Sequence, residues 1–247
     1  MGKENSNGID KQYFGDEKLI AWKKQRWGCF SGSESACLFV PGKIEKGAAA
    51  PNLFSDGAWT LIRKIAVQKY TVFHDDDKVE TLAMRKGKIN EPIAAAHLNR
   101  ITGYDMDYHG GEDPIFVRYD ENSGASPDMT KRDENDLIIF GAELKCREDK
   151  QHADFLDFLV EKGSGLKSIH LAQFSPEDYA QIQFNILSAG EQCEFWFYQL
   201  FNDFFPTKTK SLLMKVDKDE AWQKKAKLKL KQAVIERDKI IEKWNSW

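Results

Sequence analysis

The chain has 247 residues, 41% of them hydrophobic, with seven tryptophans and sixteen phenylalanines, so it can bury a sizeable core. No stretch approaches the roughly 18 apolar residues of a membrane span, and the polar N-terminus lacks the apolar centre of a secretion signal. We therefore expect a globular cytoplasmic protein without a membrane partner. The net charge of −3 does not suggest nucleic-acid binding, but this evidence is weak because acids and bases can occupy separate surfaces.

The four cysteines of the chain contain no C-x-x-C pair; they are Cys29, Cys37, Cys146 and Cys193. In a chain that is not secreted, this pattern favours reduced and mostly buried thiols. An iron–sulfur or zinc site is the alternative, and the spacing gives it no support.

The N-terminal third predicts an arm, helices and loops. Residues 1–15 are polar and are predicted to be a flexible arm, so that residues 16–247 form a single domain. A helical period runs from residue 16 and ends at Gly28. A short helix follows with Ser33 or Ser31 as its N-cap, and Pro and Gly predict an exposed loop over residues 41–52.

The next segments predict two core helices separated by an acidic stretch. The apolar spacing indicates a helix over residues 56–70, and a second helix is expected over residues 90–102, ended by Gly103. Between them, the run "HDDDK" at residues 74–78 could be a metal site, although a solvated loop or a helix start fits such a charge run better.

The middle of the chain changes to a period of two, which predicts strands. The runs "PIFVRYD" and "LIIFGAELKC" are rich in β-formers and are separated by a segment dense in turn residues. A helix with a Ser N-cap, a Pro at its first position and a closing Gly190 follows at residues 175–190, then an aromatic strand at 193–201 and a C-terminal helix from residue 220. We expect one α/β (α+β) domain with a central mixed sheet flanked by helices.

The end of the strand "GAELKC" carries an acid and a base. Glu143 and Lys145 are two residues apart and therefore share one face of the strand. Alone they could be an ion pair at a sheet edge, but a turn would bring Asp128 of "SPD" to the same point. Two carboxylates suit Mg²⁺ together with a substrate phosphate, and the lysine can orient a water, which is a combination that fits phosphodiester hydrolysis.

Four blocks in the sequence resemble, in order, the motifs of the phage lambda exonuclease and YqaJ-like viral recombinase family of PD-(D/E)xK nucleases. They are "WKKQRWGCFSGSES", "RKGKINEPIA", "SPDMTKRDENDLIIFGAELKC" and "DYAQIQFNILSAG". A lone E-x-K is a weak signal, whereas four ordered blocks are specific. The resemblance implies a core like that of restriction endonucleases.

The resemblance also assigns roles to residues of the metal site. It implies that Asp128 and Glu143 are metal ligands, with the backbone carbonyl of Leu144 as a third. Lys145 would position the nucleophilic water. Glu91 would complete the site through a second metal or its water.

The remaining assignments concern the helix near the site and the end of the substrate strand. Gln181 matches the active-site glutamine of the family, and Gln183 should point elsewhere. Arg26 and Ser33 match the residues that hold the terminal 5′-phosphate. The guanidinium offers a bidentate fork to phosphate, and a serine at a helix start adds N–H donors. Without the resemblance, a helix-surface arginine and a plain N-cap are the better explanations of the two residues.

Two features depart from the family pattern. Met129 follows Asp128 where the family has glycine, and fourteen residues separate Asp128 from Glu143. A longer hairpin would absorb this length. Without a hairpin, Asp133 or Asp136 would replace Asp128 as the candidate ligand.

The implied activity is a Mg²⁺-dependent exonuclease, with Mn²⁺ as a substitute, that digests duplex DNA from its 5′ end and leaves 3′ overhangs for recombination. The family further implies a toroidal homotrimer and a single-strand annealing protein as partner. Alternatives are a structure-specific endonuclease, an iron–sulfur nuclease of the Cas4 kind and a catalytically inactive DNA-binding protein. The basic run "KKAKLKLK" at residues 224–231 is either a DNA-facing or subunit surface or the solvated face of an amphipathic helix.

Overall fold

The computed structural model describes residues 9–40, 42–43, 52–74, 81–111, 113–163 and 167–247. Most of the loop expected at residues 41–52, and all of "HDDDK" except His74, lie outside the described residues. The helices are α1 (Ile9–Arg26), α2 (Gly32–Ser35), α3 (Asp56–Tyr70), α4 (Leu82–Thr102), α5 (Asp149–Lys162), α6 (Ser168–Phe174), α7 (Pro176–Ala189) and α8 (Glu220–Asn245). A 3₁₀ turn, Ala36–Phe39, follows α2.

The strands form two sheets. They are β1 (Phe30–Ser31), β2 (Asp107–Tyr108), β3 (Val117–Arg118), β4 (Ser123–Ala125), β5 (Met129–Arg132), β6 (Ile138–Lys145), β7 (Phe195–Phe201) and β8 (Ser211–Asp217). The main sheet has the order β2-β5-β6-β7-β8, in which β6 and β7 are parallel and the other neighbours are antiparallel. A small sheet has the order β1-β4-β3.

Helices cover both faces of the main sheet. On one face, α4 packs Ala94, Ala95 and Leu98 against β5, β6 and β7. On the other face, α5, α6 and α7 pack against β7 and β8 around Phe155 and Ile182. This mixed central sheet between helical layers confirms the predicted fold class. It also makes β6 a central strand that is buried along most of its length.

A third core joins the N-terminal segments to the C-terminal helix. Phe30, Phe54 and Ile62 are buried there with Leu230 of α8. On α8, Trp222 packs against Phe39 with ring centroids 4.6 Å apart. The C-terminal helix is therefore amphipathic, as the recurrence of apolar residues every three or four positions predicts. It packs against α3.

Several helices match their predicted limits and two start earlier. The limits of α3, α7 and α8 agree with the sequence, and Gly103 ends α4 with a left-handed φ of 71°. However, α4 begins at Leu82 rather than near residue 90, because Thr81 caps it by accepting a bond from the Met84 N–H, and the helix continues through Pro92. Helix α1 begins at Ile9, whereas the sequence pattern predicts a start at residue 16. The extent of the flexible arm and the single-domain boundary stay predictions.

The strand predictions need larger corrections. Of "PIFVRYD", only Val117 and Arg118 are in a strand. The turn-rich segment after it contains β4 and β5, and β8 was not predicted at all. Strands β4 and β5 are short, and pairing with neighbouring strands holds them rather than their own apolar alternation: β4 pairs with β1 and β3, and β5 pairs with the longer β6.

Candidate active site

A β-hairpin brings Asp128 to Glu143. In the register of β5 and β6, Met129 is opposite Ala142, so Asp128 lies beside the end of β6. The Asp128 Oδ2 atom accepts a hydrogen bond of 2.7 Å from the Leu144 N–H. The predicted hairpin between these positions is confirmed, which explains how fourteen intervening residues still bring the two ends together.

The turn of this hairpin excludes the alternative ligands. Asp133 Oδ1 caps the turn by accepting from the N–H groups of Asn135 and Leu137, each at 2.9 Å. Asp136 adopts a left-handed φ of 64° in the same turn and pairs with Arg132. Both carboxylates therefore lie at the opposite end of the hairpin from Glu143.

Three donors hold the Glu143 carboxylate, which is only 2% exposed. Its Oε1 accepts from Lys145 Nζ at 2.7 Å and from Gln181 Nε2 at 2.6 Å. Its Oε2 accepts from Asn185 Nδ2 at 3.0 Å. A buried carboxylate needs such partners, and here they fix its orientation at the end of β6.

Lys145 lies between an amide and several acids. Its ammonium donates to Glu143 and, at 3.0 Å, to Gln181 Oε1, and it lies 3.9 Å from Asp178 Oδ1. Burial by itself lowers the pKa of Lys145, but the charges of Glu143, Asp178 and Asp128 outweigh it and raise the pKa above its ordinary value. These contacts favour the charged ammonium of Lys145, which is suited to orienting a water or a phosphate.

Glu91 approaches the same group from the other helical layer. It extends from α4, and its Oε2 accepts a bond from the Tyr108 hydroxyl at 3.4 Å. Burial and the Glu143 charge raise the pKa of Glu91, and the same two causes raise the pKa of Asp128 well above its ordinary value. Three carboxylates thus repel one another at one point, an arrangement that a bound cation would relieve.

The donor set fits a Mg²⁺ ion that keeps part of its water shell. Within the described ranges, no three side chains of His, Cys, Asp or Glu form a ready-made metal cluster. Asp128 and Glu143 line one cleft with Leu144, and Mg²⁺ usually binds through one or two carboxylates while retaining waters. The N–H and C=O of a strand residue point to the same side, so the Leu144 carbonyl faces the side of Asp128, as its N–H does.

The two predicted phosphate-binding residues lie at the start of the small sheet. Arg26 ends α1, stacks on the Trp22 ring at 4.4 Å and donates to Ser31 Oγ at 3.4 Å. Ser31 is the N-cap of α2, and Ser33 is exposed within that helix with its Oγ 3.5 Å from Ser31 Oγ. Burial lowers the pKa of Arg26, and the nearby Glu34 opposes this.

Glu34 has partners other than Arg26. Its carboxylate accepts from Ser31 Oγ at 3.2 Å and forms an ion pair with Lys64. Burial raises the pKa of Glu34, but the contacts with Lys64 and Arg26 give a net lowering. Among these three residues, the two cations exceed the one carboxylate by one positive charge.

One cleft of about 1560 Å³ joins these two groups of residues. Its walls include all eight predicted site residues: Arg26, Ser33, Glu91, Asp128, Glu143, Leu144, Lys145 and Gln181. Gln183, by contrast, points away and bonds to the Asp217 carbonyl and the Asp219 N–H. The sequence assignments therefore converge in space, although their roles stay predictions.

Sequence reasoning missed four polar residues of the site, which are Tyr108, Arg147, Asp178 and Asn185. Asn185 lies one turn after Gln181 on α7, and Asp178 lies one turn before it. Asp178 is buried and accepts from Arg147 at 2.9 Å and from the Tyr198 hydroxyl at 2.9 Å. The i, i+3, i+7 spacing of Asp178, Gln181 and Asn185 could have revealed this polar helix face. Tyr108 carries no comparable signal.

The cysteines do not form a cluster. All four are free thiols, and Cys29 and Cys193 are buried. Burial, followed by the charges of Glu91 and Asp128, raises the pKa of the Cys146 thiol to about 12. Their positions in separate elements give no support to a cysteine-ligated metal.

Comparisons with known proteins identify the fold. No family profile matches the chain, and no curated protein matches it. Among solved structures, it is similar to the alkaline exonuclease LHK-Exo from Laribacter hongkongensis, at 19% identity and a TM-score of 0.67, over 92% of this chain and 96% of that one. The structure of LHK-Exo in complex with dAMP gives the same values.

A phage-related exonuclease from Haemophilus somnus 129PT is also similar, at 12% identity and a TM-score of 0.63, over 87% of this chain and 96% of that one. At these identities the likeness shows the fold. The chain has the restriction-endonuclease-like fold of these exonucleases, which is consistent with the resemblance that the four sequence blocks carry. No described helix is both long and apolar enough to cross a membrane.

Proposed function

We propose that this protein is a Mg²⁺-dependent exonuclease that hydrolyses one strand of duplex DNA from its 5′ end and leaves 3′ single-stranded overhangs for recombination. The observation that carries the proposal is the cleft in which Glu143, Lys145 and Gln181 bond to one another beside Asp128, and which Arg26 and Ser33 also line. The exonucleases of similar fold, one of them bound to dAMP, support it.

Each polar residue has a defined task in this proposal. Asp128, Glu143 and the Leu144 carbonyl would hold Mg²⁺, with Glu91 completing the site, and the ion would lower the pKa of a water and offset charge on the scissile phosphate. Lys145 uses two of its three N–H donors on Glu143 and Gln181, which leaves the third to orient the attacking water or a phosphate oxygen. Gln181 and Asn185 keep the Glu143 carboxylate in place.

Arg26 and Ser33 would bind the terminal 5′-phosphate. A fork of guanidinium donors and the N–H groups at a helix start both favour a doubly charged phosphate. Such a pocket is useful only at a DNA end, which favours an exonuclease over an endonuclease. The same resemblance extends the proposal to Mn²⁺ as a substitute ion, to a homotrimer that encircles DNA, to a single-strand annealing partner and to a cytoplasmic location.

Digestion of linear and covalently closed circular duplex DNA tests the proposal. In Mg²⁺ we expect the linear form to be degraded and the circle to stay intact, with no digestion in a chelator and recovery in Mn²⁺. Cleavage of the closed circle would instead indicate an endonuclease.

Lys145→Ala tests the proposed mechanism in the same assay. We expect it to slow digestion by about 10²- to 10³-fold, the usual loss when one preorganised donor is removed. The matched control is Lys131→Ala, since Lys131 bonds to the Asp105 carbonyl and does not line the cleft. If the unmodified protein degrades neither DNA, the nuclease proposal is wrong and a catalytically inactive DNA-binding protein is the remaining alternative.

A further inference from the structure

Phe204 is an exposed aromatic residue at the rim of the cleft. It lies in the loop between β7 and β8, and 87% of its surface is exposed. The neighbouring phenylalanines differ, because Phe201 is buried and the Phe205 ring packs on His152 with centroids 4.3 Å apart. Single exposed apolar side chains are common, so exposure alone assigns no role.

Buried polar contacts hold the loop that carries Phe204. Asn202 is 5% exposed, donates from Nδ2 to Asp149 Oδ1 at 2.8 Å and accepts at Oδ1 from the Phe204 N–H at 3.0 Å. His152 Nε2 donates to the Thr209 carbonyl at 2.7 Å. The loop is thus tied to the start of α5, and the Phe204 backbone is preorganised before any ligand binds.

The position of the loop places Phe204 close to the candidate active site. Phe204 lines the same cleft as Glu143 and Lys145. Asn202 also donates to the carbonyl of Arg147, which is two residues after Lys145. Arg147 and Lys150 line this part of the cleft and supply cationic groups of the kind that contact a nucleic-acid backbone.

We propose that Phe204 is a base-stacking residue that receives one nucleobase of the bound DNA next to the scissile phosphate. Nucleobases stack on aromatic side chains irrespective of sequence, and a ring held on a pinned loop loses little entropy on binding. Arg147 and Lys150, which line the same cleft, can contact phosphates of the bound strand. This inference rests on the proposed function, because it takes DNA as the occupant of the cleft.

A binding experiment with abasic DNA tests the stacking role. All proteins carry Lys145→Ala to prevent digestion, and the ligands are 5′-phosphorylated duplexes with an abasic site at successive positions from the 5′ end. With Phe204 intact, we expect one position at which loss of the base weakens binding roughly tenfold. Phe204→Ala should bind intact DNA roughly tenfold more weakly and show no further loss at that position.

Two further substitutions separate stacking from apolar bulk. Phe204→Trp should keep the position-dependent loss, whereas Phe204→Leu should behave like Phe204→Ala because it lacks an aromatic face. The matched control is Val160→Ala, since Val160 is 73% exposed on α5 and does not line the cleft. This control should bind like the parent.

Three results would overturn the inference. The first is the same abasic profile in Phe204→Ala as in the parent, and the second is full binding by Phe204→Leu. The third is a smaller assembly of Phe204→Ala in sedimentation with an unchanged abasic profile, which would make Phe204 a subunit contact. Digestion of linear DNA by the protein with Lys145 and Phe204 intact is measured in parallel. If this protein digests linear DNA while any of the three results is found, the stacking role is rejected and the proposed function stands.

Discussion

Asp178 is the residue that most sharply distinguishes this site from a simple carboxylate pair. It is buried, lies 3.9 Å from Lys145 Nζ and is itself held by Arg147 and Tyr198. Its charge helps to keep the Lys145 ammonium charged in a buried site. We therefore expect Asp178 to help to position Lys145.

Asp178→Asn tests this role. We expect kcat to fall by roughly tenfold with little change in KM, because a charge that orients Lys145 is lost while the DNA-binding surface stays. The control is Glu177→Gln, which removes the same charge from the preceding, exposed residue of α7. Equal activity of the two variants would contradict a positioning role.

Asp128 is expected to destabilise the metal-free protein. Burial and Glu143 raise its pKa in the folded state, so folding favours its protonated form. Its contribution to stability is present at low pH and is lost as the pH rises through the raised pKa. The metal-free protein should therefore become less stable as the pH rises from the ordinary range of an aspartate through the raised pKa of Asp128.

Thermal unfolding of Asp128→Asn in a chelator checks this expectation. In the chelator at pH 8, we expect the Tm of the variant to lie about 2 to 4 °C above that of the parent, which is the shift for about 1 kcal/mol in a domain of this size. In a parallel measurement with Mg²⁺, the ion should no longer raise the Tm of the variant. Asp136→Asn makes the same change at the exposed end of the hairpin and should leave Tm and the Mg²⁺ response close to those of the parent. A lower Tm for Asp128→Asn would contradict the repulsion described here.

At the scale of elements, the hairpin of β5 and β6 sets the geometry of the site. Gly141 pairs with Thr130 one step beyond the Met129–Ala142 pair, close to both carboxylates. A Cβ atom at Gly141 would overlap the Met129 carbonyl oxygen and the Trp196 ring. The two strands can approach this closely because residue 141 has no side chain.

Gly141→Ala should disturb both stability and activity. We expect a loss of about 1 to 3 kcal/mol in the free energy of unfolding, as for other overpacked cores, and weaker Mg²⁺-dependent activity because Asp128 shifts. In Gly57→Ala the new Cβ would lie 3.8 Å from its nearest neighbour, Cys37 Cβ, so this control should be neutral or slightly stabilising. Denaturant unfolding measures both variants.

The elements with local signals were the ones that the sequence could predict. Helix α7 has Ser175 as a cap, Pro176 at its start and Gly190 at its end, and all three lie within the helix or next to it. Strand β5 has no such signal, because pairing with β6 rather than its own polar sequence makes it a strand. The alternation of buried Leu212, Met214 and Val216 in β8 is typical of a strand with one buried face, so the sequence does carry a signal for this strand.

The site followed the same rule. Glu143 and Lys145 could be predicted because strand alternation places them on one face, and Asp128 could be predicted because the turn before the strand and the resemblance bring it to the same point. Tyr108 and Arg147 reach the site only through tertiary packing, on a two-residue strand and in the segment after β6. No local pattern marks residues of that kind.

At the scale of the whole molecule, one cleft connects two cores. The metal-site residues lie on the main sheet and α4, whereas Arg26 and Ser33 lie at the small sheet beside the core that α3 and α8 share. A DNA end bound at Arg26 would thus have its backbone led toward Glu143. In the proposed function, end recognition and hydrolysis would be separate tasks of one continuous surface.

Arg26→Ala should therefore affect end recognition without affecting the metal site. We expect the preference for 5′-phosphorylated over 5′-hydroxyl ends to fall by about 10- to 100-fold, the loss typical of a hydrogen bond to a charged group. Mg²⁺ should still raise Tm as in the parent. Arg100→Ala removes an exposed arginine that does not line the cleft and is the control.

The central claim is that the cleft hydrolyses duplex DNA from a 5′-phosphorylated end. The most direct measurement is digestion in Mg²⁺ of linear duplex labelled at either the 5′ or the 3′ end of one strand, with and without 5′-phosphate. We predict early release of the 5′ label as mononucleotide, late loss of the 3′ label and faster digestion of phosphorylated ends. Early release of the 3′ label, or equal rates with and without the 5′-phosphate, would contradict the account.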